Sequence, residues 1–182
     1  SSGLGVIPRV VANGRVIQRG KITLAEAQAR LADVWHPYHA ALQTLLDESH
    51  AAFGEAILID CHSMPHEAVG AARVGPRPDV VLGDRFGAAA QSEVVDRIEA
   101  AFAAAGLRVA RNTPFAGAYI TQHYGRPSRN QHVVQVEINR GLYMDEARVR
   151  PSPDFESFRR VITSVVSEIA AIGSSEMPLA AQ

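Results

Sequence analysis

A chain of 182 residues, 47% of them hydrophobic, can bury one core of ordinary size but not two large ones, which predicts a single domain. With 18 Lys and Arg against 19 Asp and Glu, the net charge of -1 gives no electrostatic case for nucleic acid or an anionic membrane and leaves a small polar or anionic ligand as the expected partner. The single cysteine, Cys61, excludes an internal disulfide, no apolar stretch approaches the roughly 20 residues that cross a bilayer, and the cytoplasm is the expected location. The chain begins Ser1-Ser2-Gly3-Leu4-Gly5, with neither an initiator Met nor a signal-peptide pattern, and reads as a piece of something longer.

Thr23 and Glu26 form a capping box, after which Leu24, Leu31, Val34, Trp35, Leu42, Leu45 and Leu46 recur at helical spacing up to Gly54. Pro37 interrupts that pattern, which predicts a kink or break near His36 and a second segment from about Tyr38. The apolar run Ala56-Ile57-Leu58-Ile59 predicts a buried strand ending at Asp60-Cys61-His62-Ser63-Met64-Pro65. Side chains alternate on extended backbone, so Asp60 and His62 share one face and Cys61 turns to the other, where it reads as a small buried hydrophobe. A carboxylate and an imidazole at a strand end are a candidate site.

Gly70 to Pro78 reads as a loop, Val80-Val81-Leu82 as a short buried strand closed by Gly83, and Val94, Ile98 and Phe102 as a helical stripe ending at Gly106. Leu107 to Ala110 reads as another strand, and the alternation of strands and helices predicts an α/β sheet with parallel pairing. The polar, aromatic, glycine-bearing stretch from Arg111 to Gln131 is the expected substrate loop. In Val133 to Asn139, Val134, Val136 and Ile138 share one strand face while Gln135, Glu137 and Asn139 share the other with Val133. Ser152 is the expected cap of a last helix with Pro153 at its first position, and Phe158, Ile162, Val165, Ile169 and Ile172 form its apolar stripe before Gly173. Residues 174–182 are expected to fray, which leaves 1–173 as the domain.

The segments Asp60 to Pro65, Arg77-Pro78-Asp79-Val80-Val81-Leu82-Gly83-Asp84-Arg85, Asn112-Thr113-Pro114-Phe115-Ala116-Gly117, Tyr124-Gly125-Arg126-Pro127 and Val136-Glu137-Ile138-Asn139-Arg140 resemble, in order, segments of the N-formylglutamate amidohydrolases. Gly5-Val6-Ile7-Pro8-Arg9 and Pro37-Tyr38-His39 extend the resemblance over nearly everything before the final helix. It implies a three-layer α/β/α fold with a mixed, largely parallel sheet, like that of the carboxypeptidases. It also implies zinc-dependent hydrolysis of N-formyl-L-glutamate to formate and glutamate, late in histidine breakdown.

By that resemblance His62 is the zinc ligand, Asp60 a group that orients its ring, and Glu137 the general base that takes a proton from water and passes it to the departing nitrogen. Guanidinium groups bind carboxylates through paired hydrogen bonds, so Arg85, Arg126 and Arg140 are candidates for recognising the substrate, with Asn139 and Thr113 adding directional hydrogen bonds. His36, His39, His50, His66, His123 and His132 lack the spacing of a self-contained zinc motif, and His123 is the one of them to follow. Family members usually carry, ahead of the part matching Gly5 to Arg9, a segment with a histidine beside Ser and Gly and an acidic residue that completes the metal site. This sequence does not contain it, so the reading is of an enzyme incomplete at its N-terminus, with a homo-oligomer as one way to cover exposed sheet edges. Two alternatives stand beside it: a non-catalytic domain that binds an acidic metabolite, and a hydrolase of another N-acyl amino acid.

Overall fold

Thr23 opens the first helix as its hydroxyl predicts: Oγ1 accepts from the Glu26 N–H at 3.1 Å, and α1 runs Leu24–Arg30. The Glu26 carboxylate pairs with Arg30 one turn on. The break predicted at Pro37 takes the form of one π-helical turn, Leu31–Trp35, in which the His36 N–H reaches back to the Leu31 carbonyl. α2 then continues over His36–Phe53. Proline has no N–H to give, and a wider turn holding one extra residue just before it keeps the chain helical without that donor. Leu24, Val34 and Leu45 are exposed and Leu46 is buried; periodicity tells which residues share a face, not what covers it.

The computed structural model describes residues 7–11, 14–17, 20–69 and 76–172. Gly5 and Val6, the start of the expected Gly70–Pro78 loop, and Gly173 with the tail lie outside the described residues. The chain divides into two compact units, Ser1–Leu45 and Leu46–Gln182. No helix of the described residues is long and apolar enough to cross a membrane.

The second unit is built on a four-stranded sheet of β1 (Ala56–Met64), β2 (Val80–Gly83), β3 (Val109–Arg111) and β4 (Gln131–Asn139) in the order β1-β4-β2-β3. β1 lies parallel to β4 and β2 parallel to β3, while β2 and β4 run antiparallel, so the sheet is mixed and largely parallel. β1 does not stop at Asp60: it continues through His62 to Met64 because every residue from Ala56 on has a partner on β4. The backbone ladder overrides the polar side chains that suggested an end.

Val80, Leu82, Val134 and Val136 face one side of this sheet and pack with Val94, Val95, Ile98 and Phe102 of α3 (Ser92–Ala104) and Val165 of α5 (Phe155–Ala170). α5 starts two residues beyond the expected cap: Asp154 takes that position, and Ser152 instead closes a turn by accepting the Phe155 N–H at its carbonyl. On the opposite side Met64, Val69 and Val81 form a smaller cluster with Ala110 and Phe115. On the same face, beyond Leu58 and Val133, lie the polar side chains of Asp60, His62, Gln135, Glu137 and Asn139. The expected loop from Arg111 to Gln131 contains α4, Tyr119–Tyr124, and a 3-10 turn at Pro127–Arg129.

Candidate active site

The polar face is set by register. Asp60 and His62 on β1 lie beside Gln135 and Glu137 on β4, Asp60 paired with Gln135 and His62 with Glu137; partners across a parallel ladder project to the same side, so the four side chains form one patch. The next pair, Met64 and Asn139, closes the row at the C-terminal ends of both strands, where α/β sheets present their ligands.

Within the patch, His62 Nε2 lies 3.1 Å from Asp60 Oδ2. That carboxylate oxygen is buried and has no hydrogen-bond partner, whereas the His62 side chain is 45% exposed. Glu137 is only 7% exposed. Burial pushes its carboxyl above the usual carboxylate range, and Asp60 adds to this; His62, a hydrogen bond from Gln135 and Arg140 pull the other way. A carboxylate whose proton affinity is raised by burial accepts a proton more readily than an exposed one, as a general base must.

Sequence reasoning placed Gln135 on this face without giving it a role. Gln135 is 4% exposed, donates from Nε2 to Glu137 Oε1 at 2.9 Å and accepts the Ala118 N–H at Oε1 at 2.8 Å. Its burial comes from the loop above it. Gly83 pairs with Gln135 on the same face, and a Cβ there would stand 2.7 Å from Ala116 C and Gly117 N, so the absence of a side chain lets the loop cross the sheet. The signal was in the sequence as the alternation Gln135-x-Glu137-x-Asn139, three polar groups on the face opposite Val134, Val136 and Ile138.

Arg140 reaches back to β1, its Nε and one terminal nitrogen donating at 3.0 Å to the Ser63 hydroxyl and carbonyl. Asn139 is buried; its Oδ1 accepts the Gly141 N–H at 3.0 Å and faces His66 Nδ1 at 3.3 Å, while His66 Nε2 meets Arg77 at 2.6 Å. Arg85 follows β2 with φ +56, its N–H on the Ala116 carbonyl at 2.8 Å. Asn112 fixes that turn by accepting from the N–H groups of Asp84 and Phe86. Thr113 is exposed on the same loop. Arg126 pairs by backbone with Gln131 at the start of β4 and spends its guanidinium on the carbonyls of Gln122 and Gly125. Six strand residues, about 20 Å, separate that start from Glu137. Thus His62, Asp60 and Glu137 are brought together, Arg140 and Asn139 stand at the end of the row, and Arg85, Arg126 and Thr113 stand on the loops. His123 stacks on Tyr119, ring centroids 5.0 Å apart. Cys61 turns to the opposite face but is exposed there, a correction to the buried role expected of it: in the described sheet β1 is an outer strand.

The comparisons with known proteins bear on this geometry. Residues 1–144 match the family model described as N-formylglutamate amidohydrolase. The chain belongs to the N-formylglutamate amidohydrolase family. It is 37% identical over 178 residues to the N-formylglutamate deformylase of Pseudomonas aeruginosa, covering 93% of this chain and 65% of the relative. It is 34% identical over 149 residues to that of Pseudomonas putida, covering 78% and 54%. It thus spans less than two thirds of the length of these relatives. The crystal structure of N-formylglutamate amidohydrolase from Ralstonia eutropha superposes with a TM-score of 0.85 at 32% identity, over 96% of this chain and 62% of that one. A gene product of Agrobacterium tumefaciens shares the fold at a TM-score of 0.58 and 16% identity.

Proposed function

We propose that this member of the family hydrolyses the formyl amide of N-formyl-L-glutamate, giving formate and L-glutamate, with Glu137 as the general base and His62 as a ligand to a zinc ion. The observation that carries the reading is the juxtaposition of His62 and Glu137 in paired register, with Glu137 buried and its carboxyl raised. The names of the relatives support the substrate, and the same assignment puts the reaction late in histidine degradation, in the cytoplasm.

The residues fit a divalent cation as far as they go. A buried Asp60 oxygen without a hydrogen-bond partner, 3.1 Å from an imidazole nitrogen, is a donor set that a cation satisfies. His62 would hold the ion and Asp60 would fix the ring and balance charge. Among the described residues no group of three His, Cys, Asp or Glu converges as ligands, so His62 would supply one of the three protein ligands that a catalytic zinc takes beside its water. When bound, zinc supplies a Lewis acid and lowers the pKa of water. Glu137 takes one proton of the attacking water and returns it to the nitrogen as the C–N bond breaks, so that the amine and formic acid are formed and the acid's remaining proton passes to the amine, giving formate and the ammonium form of glutamate. Arg140, held against Ser63 at the end of the row, is the side chain assigned in this reading to a substrate carboxylate.

The test is formate release from N-formyl-L-glutamate together with zinc content per chain after dialysis. Glu137→Gln is expected to abolish turnover and keep the metal. Turnover that survives this change rejects Glu137 as base, and equal rates on the N-acetyl analogue reject the formyl substrate.

A further inference from the structure

We propose that Gln135 is the positioning residue of this site: its amide ties the Glu137 carboxylate to the loop that crosses the sheet at Gly83, and reserves Glu137 Oε2 as the oxygen that exchanges the proton. The inference rests on the deformylase reading for its catalytic consequence and on geometry alone for the tie.

The orientation of the amide is fixed by a group that has no choice. A backbone N–H can only donate, so the Gln135 atom 2.8 Å from the Ala118 nitrogen is the carbonyl oxygen Oε1. The NH2 group must then face Glu137, and Oε1 of Glu137, 2.9 Å away, must accept. An oxygen committed to accepting from an amide does not carry the proton, so proton exchange falls to Oε2. The tie is buried at both ends, with Gln135 4% and Glu137 7% exposed, and in such a place an unmade hydrogen bond costs more than at the surface. It also joins two parts of the fold far apart in sequence. Ala118 precedes α4 and ends the loop that begins at Asn112, the residue whose side chain sets the turn bearing Arg85. The side chain that holds the base thus also holds the loop that walls the site, and a shift of that loop is felt at Glu137 through one amide.

Two variants of nearly the same size separate the two ends. Gln135→Met removes both bonds. Gln135→Glu keeps an acceptor for Ala118 but puts a carboxylate where Glu137 needs a donor. In the 182-residue protein, hydrogen exchange at the Ala118 amide is expected to speed up about tenfold in Gln135→Met and to stay near wild type in Gln135→Glu. On N-formyl-L-glutamate both variants are expected to lose roughly 10–100-fold in kcat with little change in KM. Wild-type Ala118 exchange in a folded Gln135→Met, or full kcat in either variant, overturns the proposal. If the wild-type chain does not turn over this substrate, the deformylase reading is what has failed. The tie is then decided by Ala118 exchange and by the direction of the Glu137 carboxylate in a crystal structure of Gln135→Met, where an unmoved carboxylate overturns it.

Discussion

Gly83→Ala tests whether the loop over the sheet is held by close backbone approach. The new methyl carbon would lie 2.7 Å from Ala116 C and Gly117 N and 3.0 Å from Phe115 O. All three are backbone atoms that cannot swing aside as a side chain can, so the loop must lift. Forced overpacking of this kind costs about 1–3 kcal/mol. Lifting residues 115–118 also breaks the bonds from Arg85 N to Ala116 O and from Ala118 N to Gln135 Oε1, about 1 kcal/mol each. Against this stands a gain of about 0.4–1 kcal/mol from the reduced freedom of the unfolded chain. The net loss is about 2–4 kcal/mol, a fall in Tm of roughly 6–12 °C for a domain of this size. Urea unfolding at constant m measures it, with hydrogen exchange at Ala118 reporting whether the loop has moved. Gly106→Ala is the control: φ is +81 there and nothing lies within 4 Å of the added carbon, so it should cost about 1–2 kcal/mol from backbone strain alone and leave Ala118 protected. A Gly83→Ala protein within about 0.5 kcal/mol of wild type, the spread of ordinary surface changes, with Ala118 still protected, would refute the reasoning.

Three further outcomes follow from the same structure. His132 is fully buried; burial holds its pKa below the usual histidine range against the opposing pull of Glu55, so the unfolded chain binds the extra proton first. Stability is therefore full above about pH 6.5 and falls as pH drops from there toward the lower folded value; urea midpoints between pH 7 and 5 should slope downward, and His132→Gln should flatten the slope. Asn112→Ala should destabilise by about 2–4 kcal/mol in thermal unfolding, because it strands the N–H groups of Asp84 and Phe86 and leaves alanine at φ +57; Asn112→Gly should recover about 1 kcal/mol of that. The rate profile of kcat/KM should lose activity on its acid side at a pH above the ordinary carboxylate range, as Glu137 takes up its proton; an acid limb that lies within the ordinary range would separate Glu137 from the chemistry.

The strand faces were legible because they depend only on a period of two: the split of β4 into Gln135, Glu137 and Asn139 against Val134, Val136 and Ile138 is the split between the polar patch and the helix-covered side. The stripe of α5 was legible from the helical period of 3.6, as Val165 enters the core with Ile162 and Ile169 packed beside it. What local pattern could not give was pairing. β1 runs on through Asp60 and His62 because of its partner strand, and the start of α5 shifts from Ser152 to Asp154 because the Ser152 hydroxyl accepts no helix N–H and its carbonyl closes a turn on the Phe155 N–H instead. Gln135 read as one polar residue among three, since its burial is made by a loop some 20 residues upstream and by a glycine on a third strand.

The two strands that carry the patch are unequal, and the difference suits their residues to the two proposed roles. β4 is flanked by β1 and β2, so Glu137 is desolvated by its neighbours and its proton affinity is raised. β1 is the outer strand of the described sheet, and the His62 it carries is nearly half exposed. A base needs a tuned pKa, which requires burial; a ligand needs to be reachable by an ion and by substrate, which burial would prevent. Moving either residue to the other strand at the same register would keep the pair adjacent and lose this division. A carboxylate on the outer strand would return toward its ordinary proton affinity, and a histidine on β4 would be closed off from an ion in solvent. The order β1-β4-β2, more than the short motifs themselves, is what gives the adjacent His62 and Glu137 the unequal exposure that the proposed ligand and base roles call for.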